Sequence, residues 1–298
     1  MRTQKHKKLS FILDGNNLRL DVFLSQKMYG ESRSEIQKMI KLGDVFVNSK
    51  PTKAGVTLKR GDKIDVFVDG ENVESEILKP QKKVILPVLY EDKDVAVLDK
   101  PPGLVVSKSE DSLFADFDSD KFLVHRLDKD TSGIFVTAKN AEARAILSKQ
   151  FADRVVKKRY TALVYGHLKP LRGTIEAGIG RSLKDRKKMS VFSNKLRNAV
   201  THYKVIRYYG PCSLLDIEIE TGRTHQIRVH LASIGFPVAG DKAYGNKTAN
   251  IEFDRKYGLK RQFLHAHLID FVLPSTGKNK SVESKLSADL KSVLDKIL

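Results

Sequence analysis

"VHRLDKDTSG", Val124 to Gly133, sets a histidine, an arginine and two aspartates within six consecutive residues. An apolar run ends at Val124 and another begins at Ile134. The flanking "FLV" and "GIFVTA" are β-branched and aromatic, so they read as strands, and the charges fall in a loop held by sheet at both ends. Such a loop can keep a reactive side chain still. Three chemistries suit it. Asp128, Asp130, Thr131 and Ser132 can make turn hydrogen bonds, the favoured account of the last three. His125 with Asp128 and Asp130 could begin a metal site, although nothing nearby completes it. Asp128, at the exit of the first strand, could act as a nucleophile that forms a covalent bond and then leaves.

The composition narrows the partner. A chain of 298 residues suffices for one sizeable domain and a small one, and 41% hydrophobic content supports a packed core. Lys and Arg number 54 against 36 Asp and Glu, a formal charge of +18 that attracts polyanions. Nucleic acid is therefore expected ahead of a surface that is merely solvated. The single cysteine, Cys212, excludes an intramolecular disulfide and a multi-cysteine zinc site, and fits a cytoplasmic location. The basic start "MRTQKHKKLS" is followed by "FILDGNN", too short and too soon charged for a signal core, and no later stretch has the length a bilayer demands. Neither a Walker nor a dinucleotide-binding glycine pattern is present.

Four segments follow along the chain. Residues 1–17 read as a basic N-terminal extension. In 18–70, Leu20, Phe23, Leu24 and Met28 recur at helical spacing up to Gly30. Ser32 and Glu35 then form a capping box ahead of a second helix with Ile36, Met39 and Ile40 as its apolar stripe, ending at Gly43. "VFVN" and "KIDVFV" are short strands beside turns at Asn48-Ser49 and Gly61-Asp62. Residues 71–87 read as a linker with prolines at 80 and 87.

From 88 to 298 a larger domain is expected. "VLYEDKDVAVLDKPPG" reads as strand, turn, strand. Asn140 caps a helix with Ala143, Ile146, Leu147 and Phe151 inward. "LLDIEIE" alternates like a strand with one wet face, and Leu286, Leu290, Val293, Leu294 and Ile297 mark a last helix. Strands outnumber helices without strict β-α-β alternation, so an α+β fold with a largely antiparallel mixed sheet is expected.

A second motif, "ETGRTHQIRVHLASIGFPVAGDKAYG" from Glu220 to Gly245, follows the alternating strand and carries Arg223 and Arg228. An arginine beside Asp128 would hold it in place and favour its charged form; an arginine could equally grip phosphate. The first role is assigned to Arg228 and the second to Arg223.

Taken in order, "YEDKDVAVLDKPPGLVV", "LVHRLDKDTSGIFVTAKN", "KKRYTALVYG", "RKKMSV", the Glu220–Gly245 motif and "RQFLHAHLIDF" resemble the successive motifs of the RluA-type family of pseudouridine synthases. "RLDVFL", "SRSEIQKMIKLGDVFVN" and "LKRGDKIDV" resemble the alpha-L RNA-binding motif, a common companion of that family. The resemblance implies that Asp128 is the catalytic aspartate, Tyr160 the tyrosine that stacks on the target base, and Arg228 the partner of the aspartate. It implies that Arg126 fills the gap left by an everted uridine, with His125 beside it at the substrate. Arg19, Arg33, Lys38 and Lys41 would meet phosphates from the small domain, a positioning role without base readout. Alone, Tyr160 in "RYTALVYG" would read as a core aromatic.

The implied reaction detaches uracil from its sugar, turns it and rejoins it through carbon, with neither redox nor phosphate transfer, so no cofactor and no metal is expected. Everting a base costs a few kcal/mol, offset by phosphate contacts and stacking, which gives the basic surface a purpose. Large-subunit ribosomal RNA is the expected substrate and transfer RNA the alternative, with the protein a monomer. A non-catalytic ribosome-assembly factor and a metal-dependent nuclease are the competing classes. Ser107-Lys108, Asp99 and Phe236 depart from the family's usual residues, and 107–121 is acidic. None of these touches Asp128, so they bear on substrate choice.

Overall fold

In the computed structural model, residues 6–15, 17–28, 33–69, 86–106 and 122–297 are described. They form two compact units, one ending at 69 and one beginning at 86. Gly30, Ser32 of the capping box, nearly all of the expected linker and the acidic segment 107–121 lie outside the described residues.

The small unit is built on β1 (His6–Ile12), β2 (Leu18–Arg19), α1 (Leu20–Lys27), α2 (Arg33–Leu42), β3 (Val45–Val47), β4 (Lys50–Pro51), β5 (Thr57–Leu58) and β6 (Lys63–Asp69). The helical spacing holds: Leu20, Phe23, Leu24, Met28, Ile36 and Ile40 all lie in one core with Val45, Ile64 and Val66. Asn48 and Ser49 both take left-handed backbone, the tight hairpin geometry that matches strand twist between β3 and β4.

The stretch 1–17 is not wholly an extension. His6–Ile12 pairs antiparallel with β6, and Leu9 and Leu13 are buried with Phe11 packed behind them. Its alternation, apolar at 9, 11 and 13, is that of a half-buried strand.

The larger unit carries β7 (Val88–Glu91), β8 (Val95–Lys100), β9 (Phe122–Leu123), β10 (Ser132–Ala138), α3 (Ala141–Ala152), β11 (Lys157–Tyr165), β12 (Arg172–Glu176), β13 (Gly180–Arg181), β14 (Met189–Ser190), β15 (Val200–Tyr209), β16 (Cys212–Ile219), α4 (Gln226–Ser233), α5 (Lys247–Tyr257), β17 (Leu264–Val272), β18 (Asn279–Glu283) and α6 (Ala288–Ile297). Ten strands make one sheet in the order β12-β15-β16-β11-β17-β10-β8-β7, with β18 on β17 and β9 on β10. Every pairing in it is antiparallel except β10 with β17. That parallel contact is close: a Cβ on Gly133, whose φ is +104°, would collide with the Ala266 carbonyl.

Asn140 caps α3 by accepting from the Ala143 N–H at 2.8 Å. Ala143 and Leu147 of α3 pack on Ile134, Val136, Ile269 and Phe271, whereas Ile146, expected inward, is 37% exposed. Leu290, Val293, Leu294 and Ile297 of α6 join α5 over Leu163 and Cys212. No helix among the described residues is long and apolar enough to cross a membrane.

Candidate active site

Over β11, β16 and β17 lies a cleft lined by Arg126, Leu127, Asp128, Thr131, Tyr160, Ile219, Arg223, His225 and Arg228. The turn that carries Asp128 is held from behind. Lys100, fully buried at the end of β8, donates from Nζ to the carbonyls of Pro101 (2.9 Å), Leu104 (3.1 Å) and Lys129 (2.9 Å). Burial draws its pKa down to about 8. Arg261 donates from Nη1 to the Asp130 carbonyl at 2.9 Å and from Nη2 to Ser132 Oγ at 3.0 Å. Its Nε and Nη2 also meet both oxygens of Asp289 in α6. Two buried cations therefore satisfy the carbonyls that this charged turn leaves over.

Opposite the turn stands α4. Gln226 bridges its start to β15, donating from Nε2 to the Val200 carbonyl and Thr201 Oγ1 while its Oε1 accepts from Thr221 Oγ1 and the Arg223 N–H. The residue before it, His225, takes left-handed backbone at φ 57°, a costly conformation that this anchoring maintains. One turn into α4, Arg228 is 6% exposed. A cation in the first turn of a helix opposes the helix dipole, and a buried one lacks water, so carboxylates must supply the compensation. Asp241 does so bidentately, accepting from Nε at 2.6 Å and Nη2 at 2.9 Å. The remaining nitrogen, Nη1, donates to Asp128 Oδ2 at 3.0 Å. Burial works against the Arg228 cation, but the two carboxylates outweigh it and push its pKa up. Burial likewise opposes the Asp241 anion, and Arg228 with the Tyr244 and Ala243 N–H groups reverses that effect and draws its pKa down.

Tyr160 is 8% exposed and faces the same cleft. Burial first, and the Asp128 charge second, push its pKa up, so the phenol stays protonated at neutral pH. His225 Nδ1 lies 2.7 Å from Tyr244 Oη, and Nε2 lies 4.0 Å from Asp128 Oδ1. Burial lowers the His225 pKa against the opposing pull of Asp128.

The structure thus brings Asp128, Tyr160, Arg228, Arg126 and Arg223 to one cleft, although they span 103 positions from 126 to 228. Arg126 is exposed at its rim, and Arg223 Nε donates to the Asn198 carbonyl at 3.2 Å. His125 is different. Its Nε2 accepts from the Val136 N–H at 2.9 Å, its ring stacks on Phe151, and it does not line the cleft. These contacts give His125 a structural role within the fold, and it forms no metal-holding group with Asp128 and Asp130 among the described residues. Burial holds the His125 pKa down at about 3, so it is a neutral acceptor.

The small-domain cations divide. Arg19 and Arg33 both bind Asp21, a fully buried carboxylate that also accepts from Gln37. Burial would raise the Asp21 pKa, and these hydrogen bonds bring it instead to about 2. Much of their charge is therefore already matched within the fold, while Lys38 and Lys41 stand exposed on α2. Sequence reasoning missed Asp241, Tyr244 and His225 as parts of the site. All three lie within the quoted Glu220–Gly245 motif, and their density of polar groups after a strand was the available signal.

A family model described as RNA pseudouridylate synthase matches residues 94–233, and the S4 domain model matches 18–64. An uncharacterised RNA pseudouridine synthase of Bacillus subtilis (strain 168) is 36% identical, covering 94% of each chain. A ribosomal large subunit pseudouridine synthase D of Nitrosomonas europaea is also 36% identical, over 94% of this chain and 84% of that one. The solved structure of human RNA pseudouridylate synthase domain containing 1 aligns with a TM-score of 0.59 at 28% identity, over 71% of this chain and 90% of that one. Shared sequence over nearly the whole length, together with an α+β catalytic domain behind an S4 domain, means that this chain belongs to the RluA-type RNA pseudouridine synthases.

Proposed function

We propose that the protein converts a specific uridine of large-subunit ribosomal RNA to pseudouridine, with Asp128 as the catalytic carboxylate. The observation that carries this is the one carboxylate among the described residues that line the cleft, tied by Oδ2 to Arg228 and with Oδ1 toward His225. Support for the RNA comes from relatives named ribosomal large subunit pseudouridine synthase in Nitrosomonas europaea and Buchnera aphidicola. The chain works as a cytoplasmic monomer, with Lys38 and Lys41 of the small unit and Arg126 and Arg223 of the large one meeting phosphates.

In the isomerisation the C1′–N1 bond breaks, the uracil turns, C5 bonds to C1′, the C5 proton leaves and N1 takes one up. Asp128 acts at the nucleotide through Oδ1. The neutral Tyr160 ring gives the detached base a face to lie on. Arg228 acts as a positioning residue, holding Asp128 through a planar, permanently charged group.

Pseudouridine mapping of total RNA with and without the gene tests the substrate: loss of a large-subunit site is expected, and an unchanged ribosomal map with a lost transfer-RNA site would overturn it. Asp128→Asn is expected to bind RNA within about threefold of wild type yet yield no product; normal turnover by that variant would refute the role of the carboxylate.

A further inference from the structure

Asp128 Oδ1 faces His225 across a gap that is too long for a direct hydrogen bond. His225 Nε2 stands 4.0 Å from it, beyond hydrogen-bond range. The protonation of that nitrogen follows from its neighbours. Tyr244 Oη accepts from the Met189 N–H at 2.8 Å and lies 2.7 Å from His225 Nδ1, where its own proton finds an acceptor if that nitrogen is bare. With Nδ1 accepting, the imidazole proton sits on Nε2, facing the carboxylate. The opposite tautomer would set a lone pair against the acceptor-only carboxylate and leave the tyrosine proton without this partner. A left-handed backbone at His225 and a ring contact with Tyr244, 5.6 Å between centroids, hold the imidazole there.

The gap therefore asks for one atom that both accepts and donates: it must take the Nε2 proton and give its own to Oδ1. Two legs of about 2.8 Å spanning the gap meet at roughly 90°, so a single oxygen can do this. Among the groups of a uridine nucleotide inside a chain, the uracil carbonyls and the ring oxygen of the sugar only accept, and N3–H only donates. The 3′ and 5′ oxygens are esterified. Only the ribose 2′-hydroxyl does both.

We propose that His225 reads the 2′-hydroxyl of the target nucleotide, donating to it from Nε2 while that hydroxyl donates to Asp128 Oδ1. His225 is then the residue that makes the site demand RNA rather than DNA at the reacting position, and it sets the sugar against the carboxylate. This rests on the function proposed above. Arg228 holds one oxygen of Asp128 and the substrate's own sugar completes the other.

The test uses the full-length enzyme and an RNA hairpin carrying the mapped uridine, made with ribose or with 2′-deoxyribose at that one nucleotide. Wild type, His225→Asn and His225→Gln are compared. Asn tolerates left-handed backbone, and the longer amide of Gln can reach the position of Nε2. The 2′-deoxy target is expected to lower wild-type kcat/KM by about 10- to 100-fold. His225→Asn is expected to lower the rate on the ribose target and to shrink the deoxy penalty at least about fivefold, with His225→Gln restoring part of it. A merely structural histidine would lower both substrates equally. Equal penalties in wild type and His225→Asn, or a deoxy target turned over as fast as the ribose one, would overturn the inference alone, the latter pointing to a water in the gap. No product from the all-ribose RNA with wild type would sink the parent function and the inference with it.

Discussion

Replacing Asp241 by asparagine isolates the clamp behind Asp128. In the native site Oδ2 accepts from Arg228 Nε, and Oδ1 accepts from Arg228 Nη2 and from the N–H groups of Ala243 and Tyr244. If the asparagine carbonyl keeps the Oδ1 contacts, its NH2 group faces the Nε–H of Arg228, donor against donor. The guanidinium, 6% exposed, keeps Asp128 as its remaining carboxylate partner within the cleft. Breaking one partner of a buried ion pair costs about 3–5 kcal/mol. For a unit of this size, a shift of about 2–4 °C per kcal/mol puts the fall in Tm at roughly 10 °C. Activity should fall as well, because a small displacement of a reacting group costs on the order of 10²-fold. The loss should lie in kcat with KM little changed, since Asp241 lies beneath Arg228 and away from the cleft lining. Calorimetry and single-turnover kinetics on the same preparation measure both. A variant melting within about 2 °C of wild type with normal kcat would show that Asp241 does not position Arg228.

Other expectations follow from the same geometry. Lys38→Ala with Lys41→Ala should reduce the log–log salt slope of RNA binding by about 1.4–1.8 with little change in melting, because each would remove one of the proposed phosphate contacts; an unchanged slope would remove them from the interface. Arg33→Ala should instead lower the melting temperature, since it leaves buried Asp21 with fewer donors. Gly133→Ala should destabilise the large unit by about 3 kcal/mol or more, because a side chain meets the Ala266 carbonyl at a positive φ; a melt equal to wild type would contradict the close β10–β17 approach. Acid should unfold the chain early. Burial holds His265 near a pKa of about 4 and His125 near about 3, against an unfolded value of 6.5. As pH drops below 6.5 the unfolded chain takes up protons first, so stability falls, by about 2 kcal/mol per histidine at pH 5. Chemical denaturation at pH 7 and pH 5 checks this, and equal midpoints would refute it.

Local pattern made much of the architecture legible. The spacing of Leu20, Phe23, Leu24 and Met28, the Asn140 cap and the alternation through Leu215, Ile217 and Ile219 each report a period or a terminus within one element. The strand at His6–Ile12 was hidden by its lysines, which draw attention to charge while Leu9, Phe11 and Leu13 carry the alternation. The meeting of Asp128 with Arg228 was inferred from what an arginine does for a carboxylate and from resemblance to a family, since 100 residues separate them and spacing says nothing at that range.

What the sequence by itself determined was the kind of elements, the basic character and the motif that carries Asp128, because periodicity, capping and charge are properties of neighbouring residues. Which cation serves which anion was decided only in three dimensions. Arg19 and Arg33 each pair with a buried aspartate, and Lys100 and Arg261 are spent on the carbonyls of one turn. A buried charge takes whatever partner the packed strands and helices bring within 3 Å, and that choice exists only once the chain has folded.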